Sequence, residues 1–148
     1  MKRTIHYTDT RGNSSGRATF TDVVVTGIAP GGGLFVPEEL PQLTLDEVLA
    51  FSELPYWRRA ASIFSRFGVD VSDDRIDALM QRAYGAQWDD ERIAPLHQVT
   101  AGLSVLELWH GPTSAFKDMA LQCMPLFFSE SVAMKQERGQ LEDDFLVL

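Results

Sequence analysis

Lysine is scarce in this chain. Of 148 residues only Lys2, Lys117 and Lys135 are lysines, and 13 basic side chains stand against 21 acidic ones, a formal charge of -8. That balance argues against a nucleic-acid binder, which needs clustered Lys and Arg to displace counterions from phosphate. Arg58, Arg59, Arg66, Arg75, Arg82 and Arg92 are scattered, mostly among acids, and read as solvated helix faces. Cysteine is scarcer still. Cys123 stands alone, so no disulfide closes within the chain, which suits a reducing cytosol. No apolar core marks "MKRTIHYTDTRGNSSG" as a secretory signal, and no run approaches the roughly 20 apolar residues of a membrane span. His6, His97 and His110 lack ligand spacing and lie far from Cys123 in sequence, so no metal site is expected. No Ser-His-Asp order or paired-carboxylate pattern stands out.

Apolar material is ample: 45% of residues are hydrophobic, enough to pack a core. The segment 8–17 is a turn-rich loop, and 20–27 is ambiguous, since its β-branched run favours a strand while Gly27 favours a capped helix. Residues 29–37 read as a turn followed by a short extended piece. Thr44 with Glu47 three residues on is a capping box opening a short helix through Phe51. Pro55 and Gly68 bracket a second helix, with Trp57, Ala60, Ala61, Phe64 and Phe67 on one stripe. Ser72 and Gly85 bracket a third, whose apolar face is Ile76, Leu79, Met80 and Ala83. Both stripes read as core.

After residue 88 the character changes. Residues 102–111 read as a strand with Leu103, Val105 and Leu106 buried. A long helix is expected from 112 to 139, capped by Thr113 or Ser114, closed by Lys135, Arg138 and Gly139, and kinked or broken at Pro125. "FLVL" (145–148) looks like the start of a second buried strand. Strand, helix, strand opens a parallel unit, and the sequence stops as the last strand begins, so the chain is expected to be cut from something longer.

Lys117 sits among apolar and small residues where a strand turns into a helix. A helix N-terminus and apolar neighbours both disfavour an ammonium, which promotes the neutral, nucleophilic amine. The plainer reading is a lysine whose stem covers core.

The stretch "VLELWHGPTSAFKDMALQ" (105–122) resembles the cofactor-lysine segment of the threonine synthase family, fold-type II pyridoxal-phosphate enzymes. The family pattern runs Leu-Glu-Leu-Phe/Trp-His-Gly-Pro-Thr-x-Ala-Phe-Lys-Asp. "HYTDTRG" (6–12) and "GIAPGGGLFVPEELP" (27–41) resemble two further family segments, in the right order. The resemblance implies an α/β fold: a mostly helical N-terminal domain over 1–88, then the first strand–helix–strand of a pyridoxal-phosphate domain over 89–148, truncated. It implies that Lys117 is the Schiff-base and proton-shuttling lysine, flanked and positioned by Phe116 and Asp118. Packing for Phe116 and complementing the helix dipole for Asp118 are the simpler roles. It further implies a lyase acting on O-phosphohomoserine, with Arg11 as a candidate substrate-anion contact, or else simply a loop arginine. Asp9 and Ser114 depart from the usual Ser and Leu, and Pro125 is unusual in the lysine helix. The family's Ser-Gly-Asp-Thr-Gly phosphate loop is absent from these residues. The triplet 31–33 is a turn by this reading, although such glycines can form an anion nest. Glu107 and His110 are expected to make a local polar contact. Activity is expected of the complete enzyme, not of this chain alone. Two alternatives stay open: a self-associating module that binds no cofactor, and another fold-type II lyase, which the Glu-Leu-Trp-His-Gly prefix disfavours.

Overall fold

The computed structural model describes residues 4–12 and 16–142. A short antiparallel ribbon pairs β1 (Tyr7–Asp9) with β2 (Phe35–Pro37), Tyr7 opposite Pro37. Between them the ambiguous segment is a helix, α1 (Phe20–Thr26). Two local signals outweigh its β-branched valines. Thr19 and Asp22 form a capping box, and Gly27 takes φ 74° at the other end.

The three expected helices follow. They are α2 (Leu45–Phe51), α3 (Tyr56–Arg66) and α4 (Asp73–Ala83). Thr44 and Glu47 close their capping box around the start of α2. Gly68 leaves α3 at φ 65°, a left-handed exit that suits glycine. The α4 face lies as the sequence pattern predicts, with Ile76, Leu79, Met80 and Ala83 all buried. Ala61 is the buried residue of α3, and Trp57, Ala60 and Phe64 pack partly buried against the same core.

The second half departs from expectation in two ways. Residues 96–106 form an antiparallel hairpin, β3 (Leu96–Thr100) with β4 (Leu103–Leu106), joined through Ala101 and Gly102. The strand ends at Leu106, and both strands are exposed along their whole length, so Leu103, Val105 and Leu106 are not buried. A two-stranded ribbon can bury residues only against another layer, and no other described element packs extensively on it. The expected parallel partner, "FLVL", lies outside the described residues.

The long helix is also two helices, α5 (Asp118–Leu121) and α6 (Met124–Glu137). The interruption falls at Gln122 and Cys123, just ahead of Pro125. Proline occupies the opening turn of α6, where its missing N–H removes no helical bond. Neither Thr113 nor Ser114 caps a helix. Thr113 gives its hydroxyl to Asp118, Ser114 takes φ 53° in the turn, and Lys117 is the N-cap of α5.

α6 joins the helical half of the chain. Cys123 and Phe127 belong to the core built by α3, α4, Val69, Val71, Tyr84, Trp88 and Ile93. The Phe127 ring meets Phe20 edge-on at 5.1 Å and tilts against Phe64 at 4.7 Å. Lys135, expected at the close of the helix, lies in the last turn of α6 and also reaches Asp22 in the α1 capping box at 2.5 Å.

Candidate functional site

The lysine turn is built on Asp118. Its side chain is fully buried, and Oδ2 accepts the Thr113 N–H at 2.8 Å and the Thr113 hydroxyl at 2.9 Å. Oδ1 accepts the Gln122 amide at 3.3 Å. Burial pushes this carboxyl up, but the donors from Thr113, Gln122 and Ala115 outweigh it and hold its pKa below the ordinary value. Asp118 therefore ties the start of α5 back to the Gly-Pro-Thr turn as a carboxylate.

Lys117 is the next residue back, and it is exposed. It makes no hydrogen bond or ion pair with the described residues. Phe116 is 66% exposed, so among the described residues it does not enclose the amine in the apolar surroundings expected there. The helix that follows has only four residues, so its dipole is small. The structure thus presents a fixed backbone corner carrying an accessible amine. That fits covalent attachment of a carbonyl cofactor at Nζ. Nothing described at Lys117 resembles a phosphate cradle.

His110 lies immediately before Gly111 at the start of the turn. Its Nε2 lies 2.7 Å from Glu107 Oε2 and its Nδ1 2.6 Å from Asp89 Oδ1. The polar contact expected between Glu107 and His110 is present. Asp89 is an addition that sequence spacing does not reveal, being 21 residues away.

Arg11 belongs to a different place. Its guanidinium rests on the glycine turn, donating to the Gly31 carbonyl at 3.1 Å, while its N–H donates to Asp9 Oδ1 at 2.7 Å. Gly32 turns there at φ 78°, and Gly33 leaves room for Asp9, whose Oδ1 a Cβ would meet at 2.8 Å. No described contact joins Arg11 to the Lys117 turn. Among the described residues no cluster of three or more His, Cys, Asp or Glu could hold a metal. No described helix is long and apolar enough to cross a membrane.

Comparison with known proteins agrees with this architecture. The family profile described as "Threonine synthase N terminus" matches residues 6–84. A threonine synthase from Pseudomonas aeruginosa is 37% identical over 135 residues, 90% of this chain and 28% of that protein. One from Schizosaccharomyces pombe is 38% identical over 146 residues, 97% of this chain and again 28% of the relative. Among solved structures, pyridoxal-phosphate-bound threonine synthase from Brucella melitensis superposes with a TM-score of 0.83 at 32% identity, over 89% of this chain and 28% of that one. These likenesses define the class: the helix-rich amino-terminal region of an α/β synthase. The chain belongs to the threonine synthase family. It spans 28% of the length of each of these two curated relatives.

Proposed function

We propose that this chain forms the N-terminal part of an enzyme that converts O-phosphohomoserine and water to threonine and phosphate, a pyridoxal-phosphate-dependent carbon–oxygen lyase of the cytoplasm. The single observation that carries this reading is Lys117 on a turn fixed by fully buried Asp118, within a chain of this family. In this reading residues 1–88 are the N-terminal domain and 89–148 begin the cofactor domain.

When bound, the cofactor supplies an electron sink for carbanion chemistry. Lys117 Nζ provides the covalent attachment and then accepts and returns protons beside the substrate carbons. Asp118 aims the lysine by holding the turn. Phe116 presents an apolar face beside it. Arg11 offers a guanidinium to the substrate anion. Its single described side-chain contact, to the Gly31 carbonyl, leaves further N–H donors for that contact.

The 148-residue chain by itself is not expected to turn over, because it holds no Ser-Gly-Asp-Thr-Gly phosphate loop. The first test adds pyridoxal phosphate, reduces with borohydride and maps the labelled peptide. A visible absorption band with label on Lys117 alone supports the assignment. Label spread over Lys2, Lys135 and the N-terminus removes Lys117 from its special position. Sustained phosphate release from O-phosphohomoserine by the chain alone would overturn the claim of inactivity.

A second reading rests on the hairpin. Leu96, Val99, Leu103 and Leu106 are each more than half exposed. An open apolar ribbon of this kind favours self-association. Size-exclusion chromatography over a range of concentrations separates the readings, since a monomer at every concentration rules out pairing through this ribbon.

A further inference from the structure

The His110 ring has a carboxylate oxygen at each nitrogen, at 2.6 and 2.7 Å. A neutral imidazole has one donor nitrogen and one acceptor, so one of the two carboxylates would face a lone pair. Only the doubly protonated ring donates to both. The two partners lie on different segments. Glu107 follows β4 directly, while Asp89 lies between Trp88 and Ile93, both buried in the helical core. Ile93 is 2% exposed although its backbone takes φ 66°, a conformation that a β-branched residue adopts only when its surroundings impose it. The Asp89 N–H also donates to the His110 carbonyl at 3.0 Å. One residue beyond His110, Gly111 packs under Asp118.

We propose that His110 is a positioning residue: as an imidazolium bridging Glu107 and Asp89, it pins the turn that presents Lys117 to the helical core. Its consequence for catalysis rests on the reading of Lys117 as the cofactor lysine, whereas the clamp itself does not. Other charges act on the ring as well. Asp90 interacts favourably with it, and Arg92 pairs with Asp90 and is drawn toward Glu107. The Trp109 ring stacks on it at 5.7 Å. The hydrogen bond that the His110 ring donates to Glu107 raises its pKa most, partial burial opposes it, and Asp89 raises it further. The clamp is therefore complete below the ordinary histidine range and opens as pH rises through the elevated native value.

The test is NMR on the 148-residue chain. His110 ring nitrogen shifts give the titration, and amide-exchange protection factors of Thr113 and Ser114, corrected for intrinsic base catalysis, report the turn. The expected result is a His110 midpoint above the unperturbed value of about 6.5. Protection at Thr113 and Ser114 should fall by about tenfold through that same midpoint, as one charge-assisted bond is lost. His110→Gln should remove the pH dependence. Asp89→Asn, at a side chain 75% exposed, serves if the first variant does not fold, and should lower the midpoint and the protection together. A midpoint at or below 6.5, or protection that stays level through it, overturns the proposal. Neither readout uses the cofactor, so failure of Lys117 labelling and failure of the clamp are separate results.

Discussion

Gly111 lies directly under Asp118: a Cβ on the glycine would meet the aspartate Cβ at 2.5 Å and its Oδ2 at 2.6 Å. Retreat of the aspartate would break the two hydrogen bonds by which Thr113 holds its Oδ2. Gly111→Ala is therefore expected to destabilise the chain by about 1–3 kcal/mol, the usual cost of overpacking a close contact. Urea unfolding measures the loss. Ala at Gly102, where an added Cβ has open space, should cost far less.

Phe127 is 3% exposed and sits between the rings of Phe20 and Phe64. Truncation of Phe127 to Ala should cost about 3–5 kcal/mol. That is a large share of the roughly 5–15 kcal/mol available to a domain, so loss of the cooperative thermal transition is the expected outcome. Phe127→Leu keeps most of the volume and should retain a transition at lower temperature.

Ser131 is fully buried in α6, and its hydroxyl has no partner among the described residues. An unpaired buried hydroxyl costs free energy, and Ala is the better helix former. Ser131→Ala should thus raise stability by about 1 kcal/mol, read as a shift in the urea midpoint at unchanged slope. A decrease would mean that the hydroxyl has a partner after all.

Asp22 carries two loads, the α1 cap through Thr19 and the ion pair with Lys135. Partial burial pushes its pKa up, but Lys135 and Thr19 together outweigh that and hold it below the ordinary value. A carboxyl with a depressed native pKa contributes stability that is fully present above its unfolded pKa, near 3.9, and lost as pH falls through the native value. The pair is partly solvated, so the contribution is about 1 kcal/mol at most. Lys135→Met should flatten the acid limb of the stability–pH curve by that amount. Lys135→Arg should largely retain it.

Much of the helical half is legible in the sequence because its signals are local. Caps at Thr44 and exits at Gly68 and Gly85 need no distant partner, and the stripe from Ile76 to Ala83 points one way whatever it meets. The segment that carries Lys117 is marked in the sequence by a motif of contiguous residues. What escaped depends on contacts across the chain. Leu103 and Val105 have the composition of buried strand residues, yet burial needs a second layer, which composition does not supply. Asp118 looks like a first-turn acid, and only its closure with Thr113 and Gly111 makes it the anchor of the turn. The Thr19–Asp22 box was readable and was hidden by the valines that follow it. Asp89 left no signal, since nothing in its neighbourhood announces a histidine 21 positions later.

The placement of Phe127 among the N-terminal helices has one more consequence. A polypeptide shortened to end at Trp88 would keep α1, α3 and α4 but lose three buried side chains of their core, Ile93, Cys123 and Phe127. Such a piece should behave as an expanded, dye-binding globule, whereas the chain through α6 should melt as one unit. Anyone borrowing the lysine turn for another scaffold must carry the amino-terminal helices along, because the ground the turn stands on was made about fifty residues earlier in the sequence.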